Sequence, residues 1–167
     1  MSADDQAAAV RTWLETNEIE YTEEAPETGE RTFSFALPGE RKLSVPIRLD
    51  LGTHALGVHA FVCRKPDENF EGVYRWMLER NLKLYAVAFA LDAAGDIYLD
   101  ARLPLALASA DELDRLLGSV LTYADESFNT LLELGFASSI RKEWAWRLER
   151  GESTANLAAF ESLRPAD

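Results

Sequence analysis

The run from Asp111 to Arg150 has no proline and no clear loop, and its periodicity predicts the principal helix of the chain. Its first half, DELDRLLGSVLTYADESFNTLLEL, places Leu113, Leu116, Leu117, Val120, Leu121, Ala124, Phe128, Leu131 and Leu132 at steps of three and four. That is a single apolar stripe on a 3.6-residue period, wide enough to cover a sheet. Ser109 and Asp111 are both N-cap candidates, and Asp111, Glu112 and Asp114 suit the positive end of the helix dipole. Gly135 marks a break or kink, because glycine weakens a helix interior by about 1 kcal/mol relative to alanine. Beyond it, FASSIRKEWAWRLERG carries two tryptophans and four cationic side chains against two acids.

Charge narrows the partners. Lys plus Arg number 17 against 29 Asp plus Glu, a net charge of −12. A field of that sign repels phosphate backbones and anionic headgroups, which argues against nucleic acid and membrane surfaces. Residues 1–30 hold nine acids and one base, a net of −8, leaving −4 for the rest. The single cysteine, Cys63, excludes an intrachain disulfide and fits a reducing compartment. The N-terminus lacks the features of a signal peptide, and no apolar run spans a bilayer, so the expected location is cytoplasmic.

The remaining chain reads in order. A helix is predicted over 3–17, capped by Ser2, with Ala7, Val10, Trp13 and Leu14 as its stripe. A short strand around Ile19 and Tyr21 precedes a polar loop with Pro26 and Gly29. Phe33, Phe35 and Leu37 then alternate in a second strand. A third strand turns Leu43, Val45, Ile47, Leu49 and Leu51 inward; Pro46 places it at an edge or leaves its N–H side unpaired. ALGVHAFVC, apolar on both faces apart from His59, suits a central fourth strand. After Pro66, Asp67 is the expected cap of a helix whose stripe is Phe70, Val73, Tyr74, Met77 and Leu78, closed by Asn81. LYAVAFALD reads as a buried strand and IYLDARLPL as its partner, before the long helix. Helix, four strands, helix, two strands and long helix argue an α+β fold with a mainly antiparallel sheet and helices largely on one face. The expected organisation is one domain over 1–150 and a C-terminal extension over 151–167, with a short helix at 153–163 and a frayed end.

Signatures of catalysis are missing: GxxxxGK[ST], GxGxxG, GxSxG and HExxH do not occur. His54 and His59, five apart around a strand, are expected on opposite faces, and His59 with Cys63 supplies only two ligands, so neither metal nor cofactor is predicted. Cys63 on its strand reads as a small buried hydrophobe rather than a nucleophile. Aromatic and cationic residues are more informative. Trp76 borders the apolar stripe of its helix. Trp144 and Trp146 point roughly 200° apart on a helix, so one face does not bury both. Either the helix end is sandwiched between elements or one indole reaches a partner. Arg141 and Arg147 flank them, and tryptophan with arginine is enriched in interface hot spots. Trp76, Trp144, Trp146, Arg141 and Arg147 are therefore the candidate partner-binding residues, against the alternative that this basic segment packs beside the acidic N-terminal region of the same chain.

With this element order in place, NFEGVYRWMLERNLKLYAVAFALDAAGDIYLDARLPL and DELDRLLGSVLTYADESFNTLLELGF resemble the YbjN-type family, described in terms of bacterial sensory transduction regulation. The resemblance covers about residues 8–137. That family's fold is similar to the type III secretion chaperones, small acidic α+β proteins, often dimeric, that bind unfolded client segments. The resemblance implies a non-enzymatic protein-binding module, chaperone-like or regulatory; the expected partner state is a homodimer, and the surfaces for it are the second helix or the edge strand bearing Pro46. The alternative is a small-molecule sensor or enzyme with a pocket between sheet and helices, where Tyr85, His59 and Arg102 converge. A third possibility is a partner subunit whose acidic surface keeps it in solution.

Overall fold

The computed structural model describes residues 3–27 and 30–166, and the expected cap Ser2 and loop residue Gly29 lie outside them. The order is α1 (Ala3–Thr16), β1 (Tyr21–Glu24), β2 (Arg31–Leu37), β3 (Val45–Leu51), β4 (Ala55–Cys63), α2 (Phe70–Asn81), β5 (Ala88–Leu91), β6 (Ile97–Pro104), α3 (Ala110–Gly135) and α4 (Ala137–Arg150). A 3-10 segment, Ala155–Leu163, follows. The strands form one antiparallel sheet in the order β1-β2-β3-β4-β6-β5. This is the α+β arrangement that grouped strands and separate helices imply.

Period-two alternation decides the sheet's two faces. Phe33, Phe35, Ile47, Leu49, Val58, Ala60, Leu99 and Phe89 stand in register and form the core with the helices. α3 supplies its cover through Leu113, Leu116, Leu117, Val120, Ala124 and Leu131, all buried. Ser109 is its cap: its hydroxyl oxygen accepts the Glu112 N–H at 3.2 Å. α1 closes one end with Ala7, Val10 and Leu14. Glu18, in the left-handed region, ends the helix as the Ile19 N–H returns to the Leu14 carbonyl. Gln6 is buried beside this stripe, and neither polar atom of its carboxamide has a hydrogen-bond partner among the described residues. Gln6→Met, close in volume and free of that desolvation cost, should raise stability by about 1–2 kcal/mol in chemical denaturation; a loss of stability would mean the amide is satisfied in solution.

Several expectations need correction. β3 is interior, between β2 and β4, so of the two readings of Pro46 the edge is excluded and the unpaired N–H side holds: Pro46 pairs Ala36 of β2, while the β3–β4 ladder starts only at Ile47. Leu43 is 81% exposed rather than inward. The Asp125 side chain on α3 accepts the Arg41 and Lys42 N–H groups, holding that segment in a turn. The strand predicted over 84–92 shrinks to β5, because Ala86 adopts a positive φ of 59° ahead of it, and β5 sits at the sheet edge. Asn81 is not a left-handed cap: its carboxamide accepts the Phe89 N–H and donates to the Phe89 carbonyl. It thus occupies the outer edge of β5 as a neighbouring strand would.

Asp67 does not cap α2. The N–H groups of Asp67 and Glu68 instead donate to the Gly135 carbonyl at 3.0 and 3.2 Å, receiving the end of α3. Glu68 then accepts the Ser138 N–H at 2.6 Å at the start of α4, and that bond holds its carboxyl below the usual range. The principal helix is therefore two helices, broken at Phe136 (φ −138°, ψ 20°) and clamped by the 66–69 loop.

Candidate partner-binding surfaces

α2 buries Val73 and Met77, and Trp76 tilts onto Phe89 with ring centroids 5.7 Å apart. The five-residue stripe read from sequence therefore splits between two faces. Phe70, Tyr74 and Leu78 sit on an outward i, i+4, i+8 row that continues to Leu82, with Leu78 68% and Leu82 90% exposed. At 1.5 Å per residue this ridge is about 18 Å long. Its signal in the sequence was present: more apolar residues than one packed face of a twelve-residue helix needs.

α4 separates its tryptophans as the 100° step demands. Trp144 is 2% exposed, and its indole N–H donates to the Phe160 carbonyl at 3.1 Å. Buried Leu157 and Phe160 come from the 3-10 segment, which packs on α3 and α4. The helix end is thus sandwiched, and Trp144 is internal rather than available to a partner. Trp146, 42% exposed, faces away. The Arg150 guanidinium lies 4.9 Å from its ring centroid and that of Arg147 lies at 6.0 Å. Arg147 is already used within the chain, paired with Glu143 at 2.6 Å and donating to the Ser153 carbonyl. Arg141 is exposed. Of the five predicted residues, Trp146 and Arg141 stand at the surface, Trp76 is partly covered and on a different helix, and Trp144 and Arg147 serve the fold. α1 packs on α3 and β3, and its Arg11 joins Arg31 around Glu23.

Among the described residues the sheet's other face carries no helix, and several of its polar residues pair with one another. Thr32 and Arg48 donate to Asp50 at 3.0 Å each, and His59 lies between Asp50, at 3.2 Å, and Asp100. One network therefore ties β2, β3, β4 and β6 together. Beside it is a hollow of about 590 Å³ lined by Ser34, Pro46, Arg48, Phe61, Tyr98 and Asp100. It lies on the open face, not between sheet and helices. His59 and Arg102 share this face and line a second depression of about 310 Å³, whereas Tyr85 bonds Glu112 of α3 on the helical side. Convergence of the three is therefore corrected to two. His54 lines that depression too, because it sits in the turn before β4 rather than in the strand.

A bulge between Phe61 and Cys63 sends Cys63 into the core opposite His59, and burial raises its thiol to about 11. It packs as a small hydrophobe. Among the described residues no three His, Cys, Asp or Glu side chains are grouped to hold a metal ion, and no helix is long and apolar enough to cross a membrane.

The class defined by this geometry is an α+β protein with helices on one sheet face, a polar open face, and exposed stripes on two of its helices. The sequence profile of the YbjN family, described as "Putative bacterial sensory transduction regulator", matches residues 6–133, and the chain belongs to that family. An uncharacterized protein of Mycobacterium tuberculosis is 53% identical over 153 residues, covering 91% of this chain and 84% of its own length. One of Mycobacterium leprae is 58% identical over 127 residues, covering 76% and 69%. Among solved structures, the chain is similar to one in the heterodimeric ExoU–SpcU complex from the type III secretion system of Pseudomonas aeruginosa. The TM-score is 0.47 with 18% identity, over 75% of this chain and 96% of that one.

Proposed function

We propose that the protein is a non-enzymatic protein-binding module, chaperone-like or regulatory, that works as a homodimer in the cytoplasm. The observation that supports this reading is the α2 ridge of Phe70, Leu78 and Leu82, apolar yet exposed on an acidic chain, with Tyr74 half-buried on the same row. A row at i±4 packs against a copy of itself by interdigitating ridges at a crossing angle of about −50°. In a two-fold interface each side chain occurs twice. Burying Leu78 at about 1.5 kcal/mol per copy makes Leu78→Glu weaken the dimer by about a hundredfold or more. Light scattering over micromolar to millimolar concentrations should give a dimer for the wild type and a monomer for Leu78→Glu. A monomeric wild type throughout that range would refute the pairing.

The 590 Å³ hollow favours a second reading, a small-molecule sensor, since its size falls within the range of ligand sites. That reading requires a metabolite fraction to raise the melting temperature of the wild type and not of Arg48→Ala. No shift with any fraction removes it.

A further inference from the structure

The outward face of α4 carries a second pattern, independent of the α2 ridge. Ser139, Lys142, Glu143, Trp146, Arg147 and Arg150 recur at i, i+3, i+4, i+7, i+8 and i+11, so they form one stripe. Glu143 and Arg147 neutralise each other at 2.6 Å. Lys142 and Arg150 are left, with no carboxylate at ion-pair distance among the described residues, in a chain where 29 acids outnumber 17 bases. They stand four residues before and four after Trp146. Each interval rises about 6 Å, so the Cα atoms of Lys142 and Arg150 are about 12 Å apart along the axis, with the exposed Trp146 midway and the Arg150 guanidinium leaning 4.9 Å from its ring centroid. A hollow of about 520 Å³ opens beside that indole. Residues 137–150 sum to +2, with four bases and two acids, inside a protein of −12.

We infer that this face docks an acidic helical segment of a partner protein, two carboxylates eight residues apart straddling an apolar side chain. The same rise that separates Lys142 from Arg150 separates those carboxylates, so both ion pairs form while the apolar group meets Trp146. Charge complementarity selects the partner's sign. The whole-chain charge argues against a nucleic acid, because beyond about 8 Å the local cations are screened and a long polyanion meets the acidic remainder of the surface. The inference rests on the protein-binding reading but uses a face other than α2, so a failed dimer leaves it standing.

The test is an NMR titration of the full chain, following the Trp146 indole N–H, assigned with Trp146→Phe. The probe is an alanine-based helical peptide with two glutamates eight positions apart and a leucine midway; its control has lysines at the glutamate positions. The glutamate peptide should shift the resonance saturably. Two exposed ion pairs at about 0.5–1 kcal/mol each make binding about tenfold weaker for the lysine peptide, and about tenfold weaker for the Lys142→Ala/Arg150→Ala protein. Equal response to both peptides, or no change in the double variant, overturns the inference. A short single-stranded oligonucleotide shifting the signal at lower concentration would reassign the face to nucleic acid. A shift on raising protein concentration alone would reassign it to a second copy.

Discussion

Trp144→Ala is expected to cost about 3–5 kcal/mol, the range for removing a large aromatic from a packed site, while Trp146→Ala stays within about 0.5 kcal/mol of wild type. The two differ only in which way the helix turns them. Trp144 packs with Leu157 and Phe160, and its N–H satisfies the Phe160 carbonyl; deleting it leaves a cavity and a buried carbonyl without its donor. This small core is separate from the main cluster between helices and sheet. Its loss should release the 3-10 segment first, giving early proteolytic cleavage beyond Gly151 before global unfolding. Trp144→Phe should recover most of the packing and lose about 1 kcal/mol for the hydrogen bond. Urea unfolding with limited proteolysis checks both halves. Equal costs at 144 and 146 would contradict the burial described for α4.

The second large effect is one of sign. Helix propensity alone says Gly135→Ala should stabilise by about 1 kcal/mol. Tertiary geometry says the reverse. A Cβ built on Gly135 lies 2.9 Å from Cβ of Pro66, on the loop that clamps the α3–α4 junction, and 3.3 Å from Cγ2 of Val73 on α2. Pro66 belongs to the loop whose next two N–H groups bond the Gly135 carbonyl, so it has little room to retreat without breaking them. Overpacking of this kind costs about 1–3 kcal/mol, and the expected net is destabilisation. A gain in the midpoint of unfolding would show that the loop yields and that propensity wins.

Gly135 also illustrates what was legible. Its composition signalled a break, and a break occurs one residue later, at Phe136. The cause is the docking of the 66–69 loop and the close approach of Pro66, neither of which a propensity scale contains. Asp67 shows the same limit. Its position before an apolar run reads as a cap, yet its N–H bonds an element sixty-eight residues away in sequence. Periodicity groups the five apolar side chains of the α2 stripe without knowing how many faces meet a neighbour. Only packing against α3 and β5 assigned Val73 and Met77 inward and left Leu78 outside.

For the candidate surfaces, local spacing was sufficient to separate Trp144 from Trp146, since 100° per residue is a property of any α-helix. It was not sufficient to say which one is buried. That depended on where the 3-10 segment folds back. Arg147 spends its guanidinium on Glu143 and Ser153, while Lys142 and Arg150, on the same stripe, have no carboxylate at ion-pair distance among the described residues.

By itself, then, the sequence determined the element order, the antiparallel sheet, the apolar cover of α3 and the absence of a known catalytic signature. All of these follow from short-range periodicity and from residue chemistry. Tertiary structure alone decided that β3 is interior, that α3 and α4 part at Phe136, and which side chains of α2 and α4 remain exposed. Those outcomes depend on contacts between residues far apart in the chain, where steric fit and hydrogen-bond satisfaction override local preference.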